Sequence, residues 1–156
     1  MPNISPRGVD LAHGEYITLK PLGPVAGPVV NAVGTPTVLE GERDRFLILL
    51  RVDELGTAFG DKLDAFIDVM GPDQETWVNA IHFTTQVGTG DPAKELGVIS
   101  GSGADKNAVV NVINDAASGE VRAKIYGAQI RARWTITQLN NARFVFGIFA
   151  WADTEM

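Results

Sequence analysis

The side chains able to do acid–base or metal chemistry are few in this chain: two histidines, His13 and His82, about seventy positions apart, no cysteine, and a scatter of carboxylates. Neither histidine has a second one at metal-ligand spacing. The lack of cysteine removes thiolate zinc sites, disulfides and thiol nucleophiles. No Gly-x-Ser-x-Gly elbow or dinucleotide fingerprint occurs, and "GTGDPAKELG" lacks the Lys-Ser/Thr ending of a phosphate loop, so it reads as a flexible connection. Asp64 and Asp68 flank Phe66 in "KLDAFIDVM". Four positions along a strand span ~13 Å, too far for the paired carboxylates of glycoside hydrolysis. Asp53 with Glu54 and Asp73 with Glu75 fall in turns as solvated groups, and "GPDQET" lacks the alternating oxygen donors of a calcium loop. His82, between Ala80 and Thr84 along one strand face, reads as a structural hydrogen-bonder or interface residue. The expectation is no enzyme, no catalytic residue, no metal and no cofactor. A cryptic carboxylate enzyme ranks last.

The elements around these residues are strands. The chain has 156 residues, 45% hydrophobic and 21% charged, enough for one domain with a real core. Its 17 glycines and 8 prolines separate short apolar runs, as many strands and turns require. "RFLILLRV" (Arg45 to Val52) is continuously apolar, whereas "KLDAFIDVM" alternates with Leu63, Ala65, Ile67 and Val69 on one face. After the "GPDQET" turn, "TWVNAIHFTTQV" completes a hairpin. Period two places Trp77, Ile81 and Phe83 on one face and Val78, Ala80, His82 and Thr84 on the other. Further strands are read at "LGVIS", "NAVVNVIN", "GEVRAKIYG" (Val121, Ala123, Ile125 inward), "QIRARWTIT" (Ile130, Ala132, Trp134, Ile136 inward) and "ARFVFGIFAW". Seven to nine short strands with close turn signals predict an all-β fold, a β-sandwich of jelly-roll type.

Residues 1–36 read differently. Pro21, Pro24, Pro28 and Pro36 interrupt small apolar residues and remove backbone donors, which predicts an extended N-terminal arm, with one short strand at "EYITLK", ahead of a sandwich domain over 37–156. Ile17, Leu19, Val25, Val29 and Val30 are the arm's candidate interface residues. A second candidate surface is basic: Arg122, Lys124, Arg131 and Arg133 alternate with inward residues on two strands read as neighbours. That face is open to three readings: a solvated face paired with acids, an interface to an acidic protein partner, or a nucleic-acid contact. A net charge of −6 argues against general nucleic-acid binding, and Tyr126 is the sole aromatic interleaved there. No run approaches the ~18 apolar residues of a membrane span, and no signal peptide is apparent.

"LDAFIDVMGPDQETWVNAIHFTTQVGTG", then "GAQIRARWTIT" and "ARFVFGIFAW", resembles small proteins encoded among the structural genes of tailed bacteriophages. The elements that carry the resemblance are Leu63, Ile67, Asp73, Trp77, His82, Phe83, Thr84, Arg131, Trp134 and the stretch Phe144 to Phe149, within Leu63 to Trp151. The resemblance implies a virion component: a capsid decoration, or cement, protein on the surface of a phage head, with the major capsid protein as partner. Two features depart from that pattern: "FVFGIFAW" is apolar on both faces, and the proline-rich arm has no counterpart. Both fit the same role, since a strand apolar on both faces needs a second covering surface, and an arm can add to a sheet edge. A capsid three-fold site would organise a homotrimer. On this reading, deleting Met1 to Gly34 weakens assembly and leaves the sandwich folded.

The rival reading is a ligand-binding module of carbohydrate type, with Phe59 as its loop aromatic. Other capsid or tail subunits also use sandwiches, so the fold alone does not choose among these roles.

Overall fold

Two antiparallel sheets stack face to face, because most strands place apolar side chains at every second position and so offer one face to a common core. The computed structural model describes residues 14–26, 29–38, 45–55, 60–88, 90–100, 115–122, 129–137 and 143–153. In chain order the strands begin with β1 (Gly14–Ala26), β2 (Val29–Val33), β3 (Thr37–Val38) and β4 (Arg45–Glu54). Then come β5 (Lys62–Met70), β6 (Trp77–His82), β7 (Gln86–Val87) and β8 (Ala93–Ser100). The last are β9 (Glu120–Val121), β10 (Gln129–Thr137) and β11 (Arg143–Asp153). The first sheet has the order β1-β11-β4-β8. The second runs β2-β10-β5-β6-β9, with β3 on β10 and β7 on β5.

The pairing is nested. β1 pairs with β11, β2 with β10, β4 with β8, and β5 with β6. The chain therefore forms one long ribbon whose closed end is the β5–β6 turn, and the ribbon wraps so that its strands alternate between the sheets. At that turn Asp73 accepts from the backbone N–H groups of Glu75 (3.1 Å) and Thr76 (2.9 Å) and from the Thr76 hydroxyl, while Gln74 takes a φ of 61°. Between the sheets lie Phe46, Ile48 and Leu50 of β4, Leu63 and Ile67 of β5, Ile130 and Ile136 of β10, and Phe144, Phe146 and Ile148 of β11.

Residues 14–36, read from sequence as most of an arm, are strands of the sandwich. Ile17 and Leu19 are core residues, and Val25 packs against the core. Val29 and Val30 sit in β2, in register with Thr137 and Ile136. Pro21 and Pro24 are tolerated because β1 is an edge strand, where a missing N–H need not break a ladder. β1 also shifts register around Lys20, and the irregularity turns Lys20 into the protein beside buried Leu19. Residues 1–13 of the expected arm lie outside the described residues.

Two other expectations change. A bulge at Ala80 carries the β5 register from Ile67↔Ile81 to Asp68↔Asn79, so Val78 packs on the core and Trp77 faces outward, opposite to Ile81. Asn79 explains why the bulge is stable: its buried amide donates to the carbonyls of Ile67 (3.2 Å) and Ile81 (3.0 Å). Second, the strand containing Val121 does not form a hairpin with β10. Glu120 and Val121 pair with His82 and Ile81 at the far edge of the sheet, and Val121 is exposed. The expected strand at "NAVVNVIN" and the positions Ala123 and Ile125 lie outside the described residues.

Candidate functional site: the two outer sheet faces

The sandwich presents two outer faces of opposite character. On the larger sheet, β5 and β10 alternate strictly, so Asp64, Phe66 and Asp68 stand beside Arg131 and Arg133. Asp68 is buried and accepts from Arg131 Nε (3.2 Å), Arg133 Nε (3.0 Å) and the Asn79 amide (3.2 Å). Arg133 also reaches Asp115 at 2.6 Å. Each guanidinium lies over a ring, Arg131 over Trp77 at 4.2 Å and Arg133 over Phe66 at 4.1 Å. The expected basic face is therefore a neutralised, stacked layer at these two arginines. Arg122 stands apart, donating to the Asn79 carbonyl at 3.3 Å from the other side of β6, because its strand joins β6 and not β10. Lys124 lies outside the described residues.

His82 belongs to the same face and stacks on Phe66 with ring centroids 4.2 Å apart. Its Nδ1 is 2.9 Å from the Ala116 carbonyl and its Nε2 is 3.0 Å from Asp64. A carbonyl only accepts, so Nδ1 carries a hydrogen and is no free base. Asp64 also accepts from the Thr85 hydroxyl, which contacts Ser118 at 3.1 Å. This cluster fastens residues 115–118 to the sheet, with Asn79 Oδ1 accepting from the Ala116 N–H at 2.9 Å. Among the described residues no group of three or more His, Asp or Glu side chains is placed to hold a metal. Among them, too, no helix is long and apolar enough to cross a membrane.

The other face is apolar. Strand registers align Tyr16, Trp151, Leu47 and Val98 in one row across all four strands of the β1-β11-β4-β8 sheet. Thr18, Phe149, Leu49 and Leu96 form the next row. All but Thr18 are apolar, and they point away from a core that their neighbours Phe46, Ile48 and Ile148 already fill. Tyr16 is 69% exposed, Leu96 58% and Val98 45%. Tyr16 and Trp151 touch at a tilted 4.5 Å. One end of the face is closed by Arg45 paired with Asp153, which also accepts from Trp151 Nε1 at 3.0 Å. The other end carries Arg51, bidentate on Asp53, and exposed Lys94. The Arg51 hydrogen bond holds the Asp53 carboxyl below its ordinary value.

This surface was partly announced by sequence: "RFLILLRV" and "FVFGIFAW" are apolar at both parities. The residues that complete it, Tyr16, Leu96 and Val98, carry no such local signal. They join the face only through pairings between distant strands.

No family model matches the chain. No curated protein matches it either. Among solved structures, "Structure of infectious bursal disease virus Gx strain" aligns with 91% of this chain at a TM-score of 0.46 and 10% identity. The chain spans about a third of that protein's length, 32%. A likeness at this level carries no argument about function.

Proposed function

We propose that this protein is a non-enzymatic structural component of a virus particle, a decoration protein that binds the major capsid protein on the outside of a tailed-phage head. The carrying observation is the outward apolar face on which Tyr16, Leu96 and Val98 are exposed and Trp151, Leu47, Phe149 and Leu49 half-buried. A contiguous apolar surface of this kind on a folded sandwich marks a place where another protein belongs. The resemblance of "HFTT" and "QIRARWTIT" to phage structural proteins supplies the setting. Nested pairing of the strands supports reading the sandwich as a jelly roll. On the opposite face the ring nitrogens of His82 have hydrogen-bond partners and Asp68 is occupied by arginines, which supports a structural role for that layer. In the particle, many repeated contacts would raise the cost of separating neighbouring capsid subunits.

Mixing the purified protein with decoration-free heads of the phage that encodes it tests this reading. The expected result is saturable co-sedimentation at a fixed ratio to the capsid subunit, with heads that withstand higher temperature. Folded protein that stays in the supernatant at all concentrations would contradict it.

A carbohydrate-type module is the second reading, favoured by exposed Tyr16 against half-buried Trp151 on a sheet face. Sugar sites add polar groups that orient hydroxyls, whereas the neighbours here are Leu47, Leu49, Leu96 and Val98. Glycan binding lost in Trp151→Ala would establish that reading instead.

A further inference from the structure

We infer that the apolar face of the β1-β11-β4-β8 sheet is covered by the same face of a second copy of this chain, related by a two-fold axis running along the strands. The inference rests on the proposed function and names what covers its carrying surface in the free protein, before the capsid takes that place. The face is divided: its aromatic side chains, Tyr16, Phe149 and Trp151, lie on β1 and β11, and its aliphatic ones lie on β4 and β8. A two-fold along the strands reverses strand order, laying β1 over β8 and β11 over β4 of the second copy. Rings then meet aliphatic side chains in both directions, as an isologous contact requires.

Charge selects this axis over the alternative. Arg45 of β4 and Asp153 of β11 are register partners and stand at the same level along the strands. Laying β4 over β11 brings Arg45 above Asp153 of the second copy, and the reverse contact forms by symmetry. The other in-plane axis, across the strands through Ile48, lays β4 on itself and sets Arg45 over Arg51 of the second copy, cation against cation. Like charges facing each other select against that arrangement.

The surface is also flat and large enough. A Cβ at Gly14 would stand 2.4 Å from Trp151 Cζ2, and one at Gly147 would stand 2.8 Å from Phe149 Cε2. The two rings therefore lie down over glycines, where a side chain would have propped them up. Four strands about 4.8 Å apart and nine residues long cover a footprint of roughly 600 Å². Specific, stable interfaces begin at about 600 Å² from each partner. A three-fold ring, by contrast, needs two different mating patches on each copy, so a pair takes the place of the expected homotrimer as the state of the free protein.

The test is the native mass of the full chain by light scattering over a hundredfold dilution, for the wild type and three variants. The wild type is expected at two chain masses, and Leu96→Lys, at an exposed position, should dissociate at least tenfold more readily. Arg45→Asp and Asp153→Arg alone should each be monomeric, and mixing them in equal amounts should restore a pair. Each chain in that mixture still carries like charges at its own rim, so recovery cannot come from repair within a chain. A wild type that is monomeric or trimeric, or a pair indifferent to Leu96→Lys, would overturn the inference. Folded rim variants that fail to recover on mixing would overturn the axis. Should a rim variant not fold, Leu96→Lys decides alone. Head binding is read separately: a pair that ignores heads sinks the proposed function only, and a monomer that binds them sinks this inference only.

Discussion

Asp68 shows how a single residue sets the character of a whole face. Buried at 2% exposure, its carboxylate survives because Arg131, Arg133 and Asn79 all donate to it. Removing its carboxylate leaves the buried Asn79 amide and two partly buried guanidiniums short of an acceptor, at about 1–3 kcal/mol. Asp68→Ala is therefore expected to lose that much in urea unfolding, and a loss below about 1 kcal/mol would show the arginines to be satisfied by water. His82→Gln, in the same layer, should leave head binding intact; a folded variant that no longer binds would give His82 a direct role. Lys20 is the contrasting case. Its Nζ donates to the carbonyls of Phe146 (2.8 Å) and Pro21 (3.0 Å) and lies 4.1 Å from the Phe146 ring, and among the described residues no carboxylate pairs with it. Burial pushes the Lys20 amine below its ordinary value of 10.5. The unfolded chain then binds more protons in the window just below 10.5, so stability rises with pH there. Lys20→Met should flatten that rise in denaturation midpoints measured from pH 8 to pH 10.5, and an unchanged slope would contradict the assignment.

At the level of elements, legibility followed how local each cause is. β10 was fully readable, since Ile130, Ala132 and Ile136 are buried and Arg131 and Arg133 face out as alternation requires. Trp77 was not, because a bulge stabilised by the Asn79 side chain inverts the face midway along β6. The hairpin expected between the strand of Arg122 and β10 was misread for a related reason: in a nested ribbon the strand preceding β10 joins the opposite edge. Proline pulled the reading of β1 and β2 toward an arm, although Ile17 and Leu19 already alternate as core residues do. The consequence is testable. A chain lacking residues 1–34 loses β1 and β2, one edge strand of each sheet, and should show no cooperative unfolding transition. Leu19→Ala in the intact chain should cost about 2–5 kcal/mol. A truncated chain that unfolds cooperatively would restore the arm reading.

For the molecule as a whole, the sandwich separates two tasks. One outer face is locked by ion pairs and stacked rings, and the other is left apolar although the core beneath it is complete. The apolar rows draw on four strands from opposite ends of the chain, so sequence showed that β4 and β11 needed a second cover without showing its outline. The central claim is that this face works by being covered, and covalent footprinting with a carbene or hydroxyl-radical probe tests it most directly. Labelling is compared between dilute free protein and protein assembled with itself or on heads. Tyr16, Trp151, Leu96 and Val98 should become several-fold less reactive on assembly, with exposed Val33 and Val121 of the other sheet as the reference. Undiminished labelling of those four residues in the assembled state would contradict the account.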